Sequence, residues 1–424
     1  MPTITTWEGM PVGLPEDLDR RRTSDRILRA SDGLGFDAFR VKKGQLYAAE
    51  VVGTLQVGNV RINVLPKIDA AVEAGDKEFL INLLSAGGAM KRLHSGPAAV
   101  RTALGEPMEI VIDHVARTIW SGLLLGPPRR YELLREDSAT VRGRLDMTRL
   151  ATQAGHAQPR LPIRHSPLQL DNELARCIKG IALLLHSAAR TSSCRRLLQS
   201  ILAELASVRS REVQLSHLRA LKLSGVEEKW REVISLASLL LAGNAPNPTF
   251  SGGSQAFGLL FPPQHLFERA LRGIVAEACS PLQIEVSHKG HSKYLYEELI
   301  SGRGIVNLKP DYLLRSNGVN VAVGDAKWKR LSDSRRAHGV GRDDFYQVAA
   351  YQSRYEVSKA LVLYPKYAKA TAGLVERYRS ADGRESVCLL SIDIERLVST
   401  RQVIRGQAIA SLSKDLDRAL FGAE

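Results

Sequence analysis

The sequence predicts an α/β protein with an α+β N-terminal region and a C-terminal mixed sheet flanked by helices. Three patterns carry that reading. Before residue 70, apolar and polar residues alternate between glycines, the period of a half-buried strand. From 171 to 242, leucines recur at i, i+3, i+4 and i+7, which is helical. Beyond 258, helical and strand-like runs succeed one another, the order that builds a sheet covered by helices.

Taken in order, LYAAEVVGTLQVGNVRINVLPKID predicts two or three strands with turns at Gly53 and Gly58-Asn59. Helices are expected over 78–94 and 109–125, and a short strand over 139–146 within RRYELLREDSATVRGRLDMTRL. ARCIKGIALLLHSAAR and RRLLQSILAELASV are amphipathic helices whose leucine stripes belong to a core rather than to a cofactor site. NAPNPTFSGGSQAFG, residues 244–258, concentrates Pro, Gly and Ser and reads as a linker. The expected domains are therefore a β-rich 1–155, a helical 156–245 and a C-terminal 246–424. In the last, Pro262-Pro263 precede a helix over HLFERALRGIVAEACS. Strands follow at 282–287, 305–315 and 319–328, then a helix at 343–355 and the strands KALVLYP and SVCLLSID.

A chain of 424 residues exceeds the size at which one core stops growing. Its net charge of +14 favours a polyanionic partner over an acidic protein surface, because Lys and Arg that neutralise phosphates release counterions. Cys177, Cys194, Cys279 and Cys388 form no CxxC pair, so they read as buried reduced thiols and not as zinc or iron–sulfur ligands. The N-terminus has no apolar signal core, and the apolar run over 233–242 is too short to span a bilayer. A soluble, cytoplasmic protein with no membrane contact is expected.

Chemistry concentrates in VNLKPDYLLRSNGVNVAVGDAKW. Asp311 follows Pro310 at the end of one strand-like run, and Asp325-Ala326-Lys327 closes the next. Ser316-Asn317-Gly318 is a tight-turn signal that lays the two runs antiparallel. Val319, Val321, Val323, Asp325 and Lys327 share a face by period-two alternation. Three valines giving way to Asp and Lys break the apolar pattern where a site would lie. Carboxylates suit Mg²⁺, with Mn²⁺ as the alternative ion, and such an ion can polarise a phosphate and activate water. Lys327 could orient or deprotonate that water or stabilise the pentavalent state. The competing reading is a buried Asp–Lys ion pair with no chemistry. Glu268, in the otherwise apolar LFERAL, could add a third carboxylate or be a solvated helix-surface residue. Gln347 and Tyr351 lie four apart on one helix face and could reach phosphate or water, or be a mere helix edge. The basic stretch KWKRLSDSRRAHGVGR could contact a nucleic-acid backbone or be solvated.

With these residues in hand, the chain resembles the McrC family, the nuclease subunits of McrBC-type modification-dependent restriction systems. Its C-terminal half is similar to the PD-(D/E)xK nuclease superfamily. The resemblance rests on an ordered series along nearly the whole chain. GTLQVGNVRINVLPKID closes in Pro66-Lys67, RRYELLREDSATVRGRLD carries Arg142-Gly143-Arg144, and SPLQLDNELARCI carries Asp171-Asn172. FGLLFPPQHLFERAL follows, then PD, DAK and QxxxY. Two prolines stand where the family usually shows a polar helix start, and the arm before residue 45 does not align.

The resemblance implies a restriction-endonuclease-like fold and Mg²⁺-dependent hydrolysis of double-stranded DNA. Asp311, Asp325 and Glu268 would be metal-site acids, Lys327 the catalytic lysine, and Gln347 and Tyr351 a supporting pair. It also implies an AAA+ GTPase ring as partner, stimulated by this chain and contacted by residues 1–155. The chain itself should bind no nucleotide. Gly53 and Gly58 have phosphate-loop spacing, but Asn59 and Val60 replace the required Lys and Ser/Thr. One cutting site per chain suggests a transient dimer through the nuclease domain. The other readings are a non-catalytic activator or scaffold of the GTPase, and a stand-alone repair nuclease.

Overall fold

The alternating segment near the N-terminus forms strands that complete their sheet only with a strand from far downstream. The computed structural model describes residues 3–15, 19–32, 37–67, 73–86, 107–152, 160–242, 256–288, 292–332, 335–367 and 371–422. The chain forms two compact units: Met1–Met108 with Gly243–Glu424, and Glu109–Ala242.

In the first unit, β1 (Thr3–Trp7), β2 (Val52–Val57), β3 (Val60–Leu65) and β4 (Ala256–Phe261) form a sheet in the order β1-β3-β2-β4. β1 runs parallel to β3, and the other pairs are antiparallel. Gly58-Asn59 makes the expected turn, with Gly58 at φ 55°. Gly53 does not. It lies inside β2, paired with Val64 on one side and Leu260 on the other, at a φ of 128° that side-chain-bearing residues rarely adopt. The glycine there accommodates a local twist of a central strand and ends nothing. Residues 256–258, expected in the linker, belong to β4, and 243–255 lie outside the described residues. Val12, Ile27, Phe39, Leu46, Leu55, Ile62, Val64 and Leu260 fill the core of this sheet.

The second sheet of this unit is mixed. Its strands are β5 (Glu285–Ser287), β6 (Tyr312–Ser316), β7 (Val319–Ala326), β8 (Lys359–Pro365), β9 (Gly373–Arg379) and β10 (Ser386–Ile392), ordered β5-β6-β7-β8-β10-β9. β7, β8 and β10 are parallel, and the outer strands are antiparallel to their neighbours. Helix α1 (Pro263–Cys279) packs on β7, and α3 (Gln402–Phe421) on β9 and β10. Helix α2 (Arg342–Tyr355) lays Val348, Tyr351 and Tyr355 against Val323, Leu313, Val362 and Leu389. The alternate residues Leu314, Ala322, Leu361, Leu363 and Leu390 are buried too, as they must be in a sheet covered on both faces.

The run expected as one strand over 305–315 divides in two. Gly304–Leu308 pairs with Lys293–Glu297 as a separate hairpin, while 312–316 is β6. Pro310, lacking an N–H, falls at the break. Asp311 thus stands at the start of a strand and not at the end of one.

In the second unit, Glu173–Ala188, Ser192–Glu204, Leu215–Ala220 and Arg231–Ala242 supply the expected helices. The strand expected over 139–146 is instead Leu134–Ser138 and Arg144–Leu145, both pairing with Leu161–His165. Asp171 and Asn172 are structural here. Asn172 Oδ1 accepts from Ala175 N at 3.1 Å to cap its helix. Asp171 accepts from Arg176 (2.8 Å) and Arg209 (2.6 Å), and its carboxyl is held well below the usual range, most by Arg176. Among the described residues, no helix is long and apolar enough to cross a membrane.

Candidate active site

β6 and β7 bring two carboxylates face to face. The pairs Leu313↔Val323 and Tyr312↔Gly324 set the register, so one residue further on Asp311 comes opposite Asp325. Asn317 (φ 51°) and Gly318 (φ 80°) form the two-residue turn that fixes this register. A bulge interrupts the alternation. Leu314 pairs with Ala322 and Arg315 with Asn320, leaving Val321 extra. The shared face is therefore regular only from Val323 through Asp325 toward Lys327. Gly324 interrupts the apolar run because a Cβ there would stand 2.9 Å from the Tyr312 ring.

Asp311 accepts a hydrogen bond from Ala326 N at 2.9 Å, which ties its carboxylate to the far end of β7. Burial pushes Asp311 up to about 6, and Glu268 adds to the rise. Asp325 is buried, and burial pushes it also to about 6, despite the Lys327 ammonium 2.8 Å from Oδ2. Oδ2 and that ammonium form a close, largely buried ion pair. For Lys327 burial pulls the other way, yet Asp325, Asp344 and Asp311 together raise it above the ordinary lysine value. It is a fixed cation at neutral pH.

Gln347 and Tyr351 hold this lysine. Lys327 donates to Gln347 Oε1 at 2.6 Å, Gln347 Nε2 donates to Tyr351 Oη at 2.8 Å, and Tyr351 donates to Lys309 O at 3.4 Å. Two further residues, which motif reading passed over, complete the surroundings. Asp344 is buried, 3.6 Å from Lys327 Nζ and 3.0 Å from Lys329 Nζ. Its spacing to Gln347 and Tyr351, three and then four residues, puts all three on one face of α2, and that was the available signal. Gln264, in the first turn of α1, donates to Ala326 O and to Glu268 Oε1, each at 2.6 Å, and accepts from Trp328 N at 2.5 Å. No local pattern marks it. In the basic stretch, Lys329 is spent on Asp344 and Arg330 lies 4.8 Å over the Tyr367 ring, while 333–334 lie outside the described residues.

The sequence model of the family described as McrBC 5-methylcytosine restriction system component matches residues 46–365. The chain belongs to the McrBC family. Its fold is similar to a refined half-complex from a tetradecameric assembly of Thermococcus gammatolerans McrB AAA+ hexamers with bound McrC. There the TM-score is 0.63 at 16% identity, over 97% of this chain and 100% of that one. It is also similar to a chain of the cryo-EM structure of the Thermococcus gammatolerans McrBC complex, with TM-score 0.52 and 18% identity over 65% of this chain and 88% of that one. No curated protein sequence matches it. The mixed α/β architecture expected from the sequence is thus that of a McrBC-family chain.

Whether these residues suit a metal ion can be judged from their chemistry. Among the described residues, no three or more His, Cys, Asp or Glu form a ready-made cage. Mg²⁺ does not need one, since it commonly takes one or two carboxylates and fills its octahedron with water and phosphate oxygens. Two acids opposed across a ladder repel, and burying their charges is costly, as the raised carboxyls of both show. A divalent cation would relieve both, so Asp311 and Asp325 fit it.

The pH dependence of stability follows. Both carboxyls are raised from 3.8 to about 6, so between those values the folded chain binds protons that the unfolded chain has lost. Stability from these groups is full below the lower value and is lost as pH rises through the upper one. In EDTA, the melting temperature is expected to fall over that window. Mg²⁺ at about ten times its dissociation constant should restore a few degrees at about pH 7.5 and almost nothing at about pH 4. Thermal melts with and without Mg²⁺ check this. An equal Mg²⁺ effect at both pH values would remove Asp311 and Asp325 as its ligands.

Proposed function

We propose that this chain is the endonuclease subunit of a GTP-dependent, modification-dependent restriction complex, hydrolysing DNA phosphodiesters with Mg²⁺. The carrying observation is the convergence of Asp311, Asp325 and Lys327 at one end of β6 and β7, with Lys327 oriented by Gln347 and Tyr351. The bound ion would polarise the scissile phosphate and lower the pKa of a water beside it. Asp311 and Asp325 would hold the ion, with Glu268, near enough to raise the Asp311 carboxyl and held by Gln264, as the third acid. Lys327, kept protonated by its acidic neighbours, serves as a cation for developing phosphate charge and not as a base. Mn²⁺, with the same preference for oxygen ligands, should substitute.

The family's description as a 5-methylcytosine restriction component supports methylated double-stranded DNA as substrate. The McrB AAA+ hexamers in the similar structure support an AAA+ ring as partner. That the ring is a GTPase, is contacted through residues 1–155 and is stimulated by this chain is what the family resemblance implies. A site that cuts one strand at a time would need a second copy, or a second visit, for a double-strand break.

The test is a cleavage assay on methylated and unmethylated plasmid, with and without Mg²⁺, GTP and a McrB-like AAA+ partner. Cutting confined to methylated plasmid with all components present is expected. Efficient cutting without partner or GTP would favour a stand-alone nuclease. GTPase stimulation with no cutting under any condition would favour a non-catalytic activator. Sizing the assembled complex on DNA would count the copies of this chain.

A further inference from the structure

Trp328, one residue beyond Lys327, is gripped from three sides. Its backbone N–H donates to Gln264 Oε1 at 2.5 Å, which fixes it to the start of α1. Its ring meets Phe267 of α1 edge-on at 5.4 Å and Tyr367, just after β8, at 6.4 Å. The third grip comes from the other sheet. Glu8, immediately after β1, accepts from Trp328 Nε1 at 3.1 Å on Oε1 and 3.0 Å on Oε2. Glu8 Oε1 also accepts from Lys67 N at 3.0 Å, and Glu8 N donates to Leu65 O at 3.0 Å. The same carboxylate thus ties the end of β3, through Pro66-Lys67, to the end of the DAK strand.

A carboxylate is a costly choice for this joint. Burial pushes Glu8 up to about 7, against the lowering by its hydrogen bonds from Lys67 and Trp328. The residue is only half-buried by area, but its carboxyl group meets a nearly inaccessible tryptophan. What the acid gains for that cost is a two-oxygen acceptor that fixes the indole N–H and a main-chain N–H together. An apolar side chain could fill the space and fix neither.

We propose that Glu8 is a positioning residue for the nuclease site, acting through Trp328 to hold the Lys327 strand end in register with the N-terminal sheet. This inference rests on the nuclease reading above and extends it. The N-terminal sheet, three of whose four strands lie within the region proposed to contact the partner, reaches the site by two routes, Glu8 to Trp328 and β4 through α1 to Gln264. A shift of about 1 Å in catalytic groups is enough to cost on the order of 100-fold in rate. Release of the Glu8 grip is therefore a means by which events on the N-terminal sheet set the cutting rate.

The test uses the full chain with its partner, in the variants Glu8→Ala, Glu8→Gln, Trp328→Phe and the double Glu8→Ala/Trp328→Phe. Glu8→Ala and Trp328→Phe are each expected to lower kcat for cleavage by about 10- to 100-fold with KM for DNA unchanged. Glu8→Gln, which keeps one acceptor oxygen, should retain most activity. The double variant should be no worse than either single one, as for two partners in one interaction. Hydrogen exchange supplies a readout independent of cutting. In Glu8→Ala the amides of Lys327 and Trp328 should exchange at least about 10-fold faster while those of β8 stay protected. Unchanged exchange there in a folded Glu8→Ala chain, or strictly multiplicative losses in the double variant, would overturn the proposal. If the unaltered chain never cuts DNA, the nuclease reading fails, and exchange alone decides whether Glu8 holds this strand.

Discussion

Asp325→Asn is expected to cut DNA cleavage by about 100- to 1,000-fold or more while making the metal-free protein more stable. The two effects have one cause. Burial pushes the carboxyl to about 6, so at about pH 8 the folded chain carries a charge it solvates poorly. Asparagine keeps the shape without that charge. The gain in EDTA at about pH 8 should be about 2 kcal/mol, read from denaturant unfolding. It should vanish at about pH 3 and below, under both the unfolded value of 3.8 and the folded value of about 6, where the aspartate is largely protonated in both states. Loss of activity accompanied by loss of stability would mean that Asp325 is a structural ion-pair partner and nothing more.

Lys327→Ala is expected to abolish cleavage to a similar extent but to move stability the other way. Its ammonium lies 2.8 Å from Asp325 and 3.6 Å from Asp344, and Asp311 is close enough to raise it. Without it these acids face each other with no fixed cation among them. Breaking a buried pair in this manner costs about 3 kcal/mol. Mg²⁺ should return much of that stability, because a divalent ion supplies the missing charge. It should not return activity, because the ion cannot replace the amine that Gln347 and Tyr351 orient. Unfolding and cleavage measured on one preparation, with and without Mg²⁺, separate the two roles. Cleavage restored by Mg²⁺ alone would show that Lys327 serves charge balance only.

What could be read in the sequence was what neighbouring residues encode. Asn317-Gly318 is a local turn signal, and it aligned Asp311 with Asp325 as expected. The DAK ending was visible as a breach of an apolar alternation. The bulge at Val321 was not, since it depends on the partner strand. Asp344 shared the helix spacing of Gln347 and Tyr351 but sat at the edge of a basic stretch that drew attention to its cations. Gln264 and Glu8 were out of reach, because their meaning lies in Ala326 and Trp328, 62 and 320 residues away in the chain. Pro310 was read as part of a strand end because strand propensity continues on both sides of it. Only the missing N–H places the break there.

The pairing of β4 with β2 has a consequence for biogenesis. β2 ends at Val57, and the strand that covers its edge does not begin until Ala256. At ribosomal speeds the nascent chain waits roughly 10–40 s between emergence of the two. During that interval β2 offers an unpaired, largely apolar edge, the kind that other chains can join. A holding chaperone, or slow synthesis at low temperature, should therefore improve recovery of the intact protein. A fragment that starts at residue 246 would face the converse problem, carrying β4 with no strand to receive it.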